Sequence, residues 1–207
     1  EYKEVFKQMY KKLRKQKVDC IIHCGDIAHT KTQISPEFVE MATDFFRSLG
    51  DIAPTYIILG NHDGNLRNNS RQDALSPIVK AINNPDLVLL KNAGEKKLQE
   101  NFYLNVLSVF DEENWHKVKP MNDAINIALY HGATRGSLTD TDWQLEGEIK
   151  SGFFKGYNFA LLGDIHKRQF LNEEKTIAYC GSTIQQNYGE SIDKGFLCWD
   201  IRDKGDF

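Results

Sequence analysis

The stretch "PTYIILGNHD" (54–63) runs a short apolar strand into a glycine and then into three side chains that carry chemistry. Tyr56, Ile57, Ile58 and Leu59 make the continuous aromatic and β-branched run that suits a strand covered on both faces. The run stops at Gly60, and Asn61, His62 and Asp63 follow without a spacer. Three more strand exits share this build. "IIHCGD" (21–26) ends at Asp26, "IALYHG" (127–132) at His131, and "FALLGDIH" (159–166) at Asp164 and His166. Ligands in α/β sheets collect at the carboxyl ends of the strands, so the four exits are expected to converge on one site.

The rest of the chain reads as α/β alternation around these exits. Val5, Phe6, Met9, Tyr10 and Leu13 share one face of a helix at 1–16, with a lysine-rich face opposite. A strand at 18–24 follows. Ser35 and Pro36 read as the cap and first turn of a helix at 36–49. Next come a strand at 54–60, a helix around 70–83 with Ser70 as its cap, and a strand at 86–90. That order predicts βαβ units with right-handed crossovers. Beyond Gly94 strands dominate: 101–110, 124–132, 157–166, a hairpin within 169–182 turning at 172–175, and 194–201, with a polar loop at 111–123. The expected fold is α/β, two mixed β-sheets packed as a sandwich with flanking helices. The 207 residues suit a single domain spanning 1–207.

Bulk properties narrow the function classes. A net charge of -3 gives no global pull toward nucleic acid, so a polyanion would need a local basic patch or bound cations. No apolar run approaches the roughly 18–20 residues of a membrane span, and no segment reads as a signal peptide. A cytoplasmic location is expected, or a nuclear one in a eukaryotic cell. Cys20, Cys24, Cys180 and Cys198 lack CxxC spacing and read as reduced thiols.

The polar residues at the strand exits suit a pair of divalent cations. A carboxylate can bridge two ions through its two oxygens, while an asparagine carbonyl and neutral imidazoles complete mixed oxygen and nitrogen shells. Two such ions clamp the oxygens of a phosphate. Taken alone, Asp26 also reads as a turn cap, His131 as a hydrogen-bonded core histidine and "GNHD" as a turn. Four of the six histidines at strand exits beside Gly, Asn or Asp read together as a site.

The ordered set "GDxxH…GNHD…YHG…GDIH" resembles the calcineurin-like metallophosphoesterase superfamily. Within it, "RQDALSPIV", "LLGDIHKRQ" and "YCGSTIQQNYGE" are similar to the SbcD/Mre-eleven-like branch of DNA repair nucleases. The resemblance implies Asp26 as the bridging carboxylate, Asn61, His131 and Asp164 as ligands of one metal, and His166 as a ligand of the other. It implies His62 as the histidine acting at the scissile phosphate, with Asp63 orienting its imidazole. His29 reads as support for the site or as a surface turn residue. The family's first motif, Asp-x-His at the end of its first strand, is absent and would lie before Glu1, so the domain is expected to lack that strand and any C-terminal capping region. Asp164 stands where the nuclease pattern has histidine, which favours a harder ion.

The resemblance thus implies a dimetal-dependent phosphodiester hydrolase, a DNA exonuclease or endonuclease of recombination and double-strand-break repair. Two divalent cations are expected, manganese first, with iron, zinc or magnesium as alternatives. Arg67, Arg71, Lys167 and Arg168 follow the catalytic exits and are the candidates for contact with a DNA backbone, or else solvated loop charges. Tyr188 could stack on a base or pack. An SbcC/Rad-fifty-like ATPase partner and a homodimer are implied by resemblance only. Two other readings remain open: a phosphoesterase acting on small-molecule phosphodiesters or phosphoproteins, and a catalytically dead interaction scaffold. The motif variants also look like those of phage or large-virus relatives.

Overall fold

Serine and proline set the first sharp boundary in the fold, at residues 35 and 36. The Ser35 side chain accepts a hydrogen bond from the Phe38 N–H at 3.1 Å, and Pro36 occupies the first turn, where no N–H is needed. In the computed structural model, which describes residues 2–29, 34–68 and 70–207, this is helix α2 (Pro36–Gly50). The end of the loop that leads into it, 30–33, lies outside the described residues.

The chain folds as two compact units, Glu1–Lys91 and Asn92–Phe207. In the first, α1 (Tyr2–Gln16) lays Phe6 against Phe45 of α2, ring centroids 4.8 Å apart, and buries Met9 and Leu13. Strands β1 (Ile21–His23), β2 (Thr55–Ile58) and β3 (Leu87–Leu90) form a parallel sheet in the order β1-β2-β3. Ile57 and Ile58 of β2 and Phe46 and Leu49 of α2 are almost fully buried and form the apolar centre of this unit.

Helix α3 (Ser76–Ile82) begins later than the expected start at residue 70. Ser70 does not cap it. Asp73 holds its first turn instead, with Oδ1 accepting from the N–H groups of Leu75 at 3.0 Å and Ser76 at 2.7 Å. Pro77 then fixes the first helical residues. The other Asp73 oxygen takes the Ser76 hydroxyl and the Lys91 ammonium, each at 2.7 Å.

The second unit is built on a six-stranded mixed sheet. Its strands are β4 (Gly94–Gln99), β5 (Phe102–Leu107), β6 (Ile125–His131), β9 (Phe159–Gly163), β10 (Gln169–Phe170) and β11 (Ile177–Tyr179), in the order β10-β11-β9-β6-β5-β4. The four inner strands run parallel, and β4 and β10 pair antiparallel at the two edges. Every residue of β6 is buried, as its unbroken apolar run requires of a central parallel strand. A two-stranded parallel pair, β7 (Thr134–Arg135) and β8 (Ile149–Lys150), lies outside this sheet.

Two elements differ from expectation. β4 reads as polar sequence, "GEKKLQ", yet it forms an edge strand, a position where lysines are tolerated because one side of the ladder stays open. The segment 194–201 forms no strand, because no ladder forms along it among the described residues. Trp199 anchors it instead, edge-on to Phe159 at 5.8 Å.

Candidate metal centre

At the exit of β1 the backbone turns through two successive left-handed residues, Gly25 at φ 91° and Asp26 at φ 58°. Glycine enters that region freely and aspartate is among the few other residues that tolerate it, so the turn can carry a carboxylate at its bend. One buried side chain fixes this bend. The carboxylate of Asp63, fully excluded from solvent, accepts from the N–H groups of Asp26, Ile27 and Ala28, each at 2.9 Å, and of Gly60 at 2.8 Å. Asp63 thereby ties the exit of β1 to the exit of β2. Burial pushes its carboxyl up from the ordinary range, the Ala28 and Gly60 N–H groups pull it down, and the Asp26 charge pushes it up again; the net direction is upward.

His62 sits beside this tie. Its N–H donates to Asp26 Oδ1 at 3.0 Å, and its ring Nδ1 lies 2.9 Å from the His29 carbonyl. A carbonyl only accepts, so Nδ1 carries a proton and Nε2 is left for other work. The sequence suggested that Asp63 would orient this imidazole. The His29 main-chain carbonyl does so instead, because both Asp63 oxygens are taken by backbone N–H groups. The His29 ring lies near-parallel to that of His62, centroids 6.3 Å apart. Asn61 and Asp26 are half-buried at the same strand exits.

In the second unit, β6 and β9 are adjacent and in register, His131 opposite Gly163. His131, buried at 1% exposure, therefore ends its strand beside Asp164, with Nε2 3.8 Å from Asp164 Oδ1. One cation about 2.1 Å from each atom could bridge that gap. Asp164 is also left-handed, at φ 94°. Non-glycine residues held there cluster at functional sites.

His166 follows two residues later, and its Nδ1 lies 2.8 Å from Glu190 Oε1. Glu190 is 4% exposed and heavily engaged. Its other oxygen takes the Lys194 ammonium at 2.8 Å and the Gln186 N–H at 3.0 Å. Burial would raise the Glu190 carboxyl, but the Gln186 N–H, Lys194 and His166 together hold it down at about 2. A carboxylate on Nδ1 fixes the tautomer and leaves Nε2 of His166 as the free ring nitrogen, the arrangement of metal-binding histidines. Nothing in the sequence assigns Glu190 or Lys194 to the site, because Glu190 lies 24 residues from the histidine it holds. Gly181 of "YCGS" supports the same segment. It is left-handed at φ 78°, and a Cβ there would meet the His166 carbonyl at 2.9 Å.

Asp164, His166 and Glu190 line a cleft of about 440 Å³ in this unit. The four candidate cations for a nucleic-acid backbone divide into two kinds. Lys167 pairs with Asp142, and Arg168 with Asp193 at 3.2 Å. Arg67 and Arg71 are exposed and make no ion pair among the described residues. Tyr188 is fully exposed.

The sequence profile of the calcineurin-like phosphoesterase family matches residues 2–168, a span that holds all four strand exits. The chain belongs to the calcineurin-like phosphoesterase family. The chain is 43% identical over 220 residues to "Uncharacterized protein R555" of Acanthamoeba polyphaga mimivirus, covering 99% of this chain and 16% of that protein. It is 27% identical over 190 residues to "Putative phosphoesterase 244L" of Invertebrate iridescent virus 6, covering 87% of this chain and 63% of that protein. The chain thus spans less than two thirds of each relative. Both relatives are virus-encoded, the kind of source that the motif variants suggested. No helix among the described residues is long and apolar enough to cross a membrane.

The donor atoms suit the divalent cations on which metal-dependent phosphoesterases rely. His166 has Nδ1 committed and Nε2 presented, and Asp164 adds a carboxylate beside the His131 imidazole. Such mixed shells bind first-row divalent ions, with the metal's identity left to geometry and supply.

Proposed function

We propose that this chain carries the catalytic residues of a dimetal phosphodiesterase that cleaves DNA. In this reading, as the family resemblance implies, Asn61, His131 and Asp164 would serve one cation and His166 the other, with Asp26 as the shared carboxylate. The cations would supply charge neutralisation at the phosphate and an activated water. His62, its Nδ1–H donating to the His29 carbonyl, presents Nε2 toward substrate, and with that nitrogen also protonated the imidazolium would hand its Nε2 proton to the leaving oxygen. Glu190 holds His166 in one tautomer, and Asp63 holds the loop that carries Asp26 and His62.

The observation that carries the proposal is the His166–Glu190 pair. A solvent-shielded carboxylate, itself neutralised by a buried lysine, is spent on fixing one imidazole of a strand-exit cluster. Metal-binding histidines almost always have their other ring nitrogen held in this way. DNA as substrate draws on the resemblance to the SbcD/Mre-eleven-like branch and on exposed Arg67 and Arg71. Manganese is the first choice of metal because Asp164 makes the shell harder. Incubating the protein with Mn²⁺ and linear duplex DNA should release nucleotides from the ends or nick the strand, and chelation should stop it. Absence of metal-stimulated cleavage overturns the proposal.

The pairing of Lys167 with Asp142 and of Arg168 with Asp193 favours a second reading, a smaller phosphodiester as substrate. Salt separates the two. Cleavage of a polyanion gripped by several cations falls steeply between about 50 and 200 mM salt, and that of a small ester does not.

A further inference from the structure

The cleft of the second unit has two walls of different chemistry. One carries Asp164, His166 and Glu190; the other is the tip of a tight hairpin bearing Thr139, Thr141 and Trp143. Trp143 lines the cleft and yet remains 71% exposed, so burial in a core does not account for it. We propose that Trp143 is a stacking platform for a nucleobase, which makes this cleft a subsite for one nucleotide of the substrate. The inference rests on the phosphodiesterase reading and specifies what lies beside the phosphate.

The hairpin fixes the backbone that carries the indole. Leu138 and Gln144 bridge antiparallel, the Thr139 N–H donates to the Trp143 carbonyl at 2.9 Å, and the Trp143 N–H donates to Thr139 Oγ1 at 3.2 Å. The hairpin is also bound to the segment that carries His166. The Gln169 side chain donates to the Leu138 carbonyl and accepts from the Leu138 N–H, both at 2.8 Å, and Lys167 pairs with Asp142. On the other side Asp140 accepts from the Ser191 N–H at 3.2 Å and lies 3.5 Å from Lys194, the lysine that neutralises Glu190. The backbones that carry Trp143 and His166 are thus fixed in one frame. A ring on a fixed backbone gives up less freedom when a base settles on it.

The occupant follows from the two walls together. One offers imidazole and carboxylate for a phosphate held through cations; the other offers a flat π-face with hydroxyls beside it. A nucleotide unites a phosphate and a planar heteroaromatic ring, and the cleft volume falls in the range of pockets for small ligands. Stacking accepts any base, so this subsite would give affinity without sequence preference.

Two measurements test this. Indole emission is followed while the protein with Mn²⁺ is titrated with thymidine 5′-monophosphate and, separately, with methyl phosphate. The nucleotide should quench, methyl phosphate should not, and Trp143→Phe should remove the quench, because Trp115 and Trp199 are packed against other rings. In the second, hydrolysis of thymidine 5′-(p-nitrophenyl phosphate) is compared with that of methyl p-nitrophenyl phosphate, which shares the leaving group and lacks the base. Trp143→Ala should lower the ratio of the two kcat/KM values about 5- to 150-fold, the worth of one stacked base. No quench in the wild-type protein, a quench that survives Trp143→Phe, or an unchanged ratio overturns the inference. If neither ester is hydrolysed while the quench behaves as expected, the hydrolase reading falls and the base subsite stands.

Discussion

His166 and Glu190 stand 24 residues apart in sequence and 2.8 Å apart in the fold, imidazole Nδ1 against carboxylate Oε1. From Glu190 a chain of charge shielded from solvent continues through Lys194, 7% exposed, to Asp140. Replacing Glu190 by Gln keeps the shape and loses the charge that fixes the tautomer. Metal-dependent activity should fall about 10- to 100-fold, with a matching loss of Mn²⁺ affinity in a calorimetric titration. Glu190→Ala should also destabilise the protein, by about 3–5 kcal/mol, because Lys194 is left buried without its closest partner. Wild-type metal affinity in Glu190→Gln would remove Glu190 from the site.

Asp26→Asn is expected to abolish metal-dependent hydrolysis, by about 100-fold or more, while leaving the melting temperature close to that of the wild type. Asparagine tolerates the left-handed backbone at position 26, and its carbonyl can still accept the His62 N–H. Retained turnover would show that the bridging role lies elsewhere.

Asp63→Asn should behave in the opposite way. Four N–H groups point at the Asp63 oxygens, and an amide offers them one oxygen and an NH₂ group that repels the rest. Unfolding in urea should show a loss of at least about 2–3 kcal/mol, with activity lost alongside. A variant as stable as the wild type would mean that another acceptor replaces the tie.

The Asp73–Lys91 pair sets a pH dependence. Burial would raise the Asp73 carboxyl, but Lys91 and the Ser76 donors outweigh it and hold the group below its ordinary value. A carboxyl depressed in the folded state adds stability above the unfolded value, near 3.9, and loses it as pH falls through the folded value. Stability of the wild type measured from pH 6 down to acid should therefore fall more steeply than that of Asp73→Asn. The variant itself should be about 1–2 kcal/mol less stable at pH 7, mainly from the loss of the charged pair with Lys91, since an asparagine oxygen can still cap the helix. Parallel pH curves for the two proteins would contradict this.

Much of this architecture can be read from residues whose effects are local. Ser35 and Pro36 act within one helical turn, and the apolar runs that end at "GD", "GNHD", "YHG" and "GDIH" mark both the strands and the site. Asp73 was harder to read, because a capping carboxylate three residues before the start of its helix competes with any serine nearby. β4 was hidden because an edge strand needs only a ladder on one side, which lysine and glutamate can form as well as valine. The 194–201 run misled for the converse reason: apolar character without a partner strand makes packing, not a sheet. In the site, ligand types are visible in the chain and their supports are not. The His29 carbonyl that orients His62 has no letter in the sequence, and Glu190 reaches His166 through a connection that no spacing rule covers.

The left-handed backbone at Asp26 and Asp164 has an evolutionary consequence. Few residues can occupy such a bend without strain, chiefly glycine, asparagine and aspartate. Lineages that stop needing the chemistry are therefore not free to drift at these two positions. They can discard the charge but must keep the curve, so a retired descendant of this fold should carry asparagine or glycine there, and a glutamate in either place should be rare in working and retired members alike.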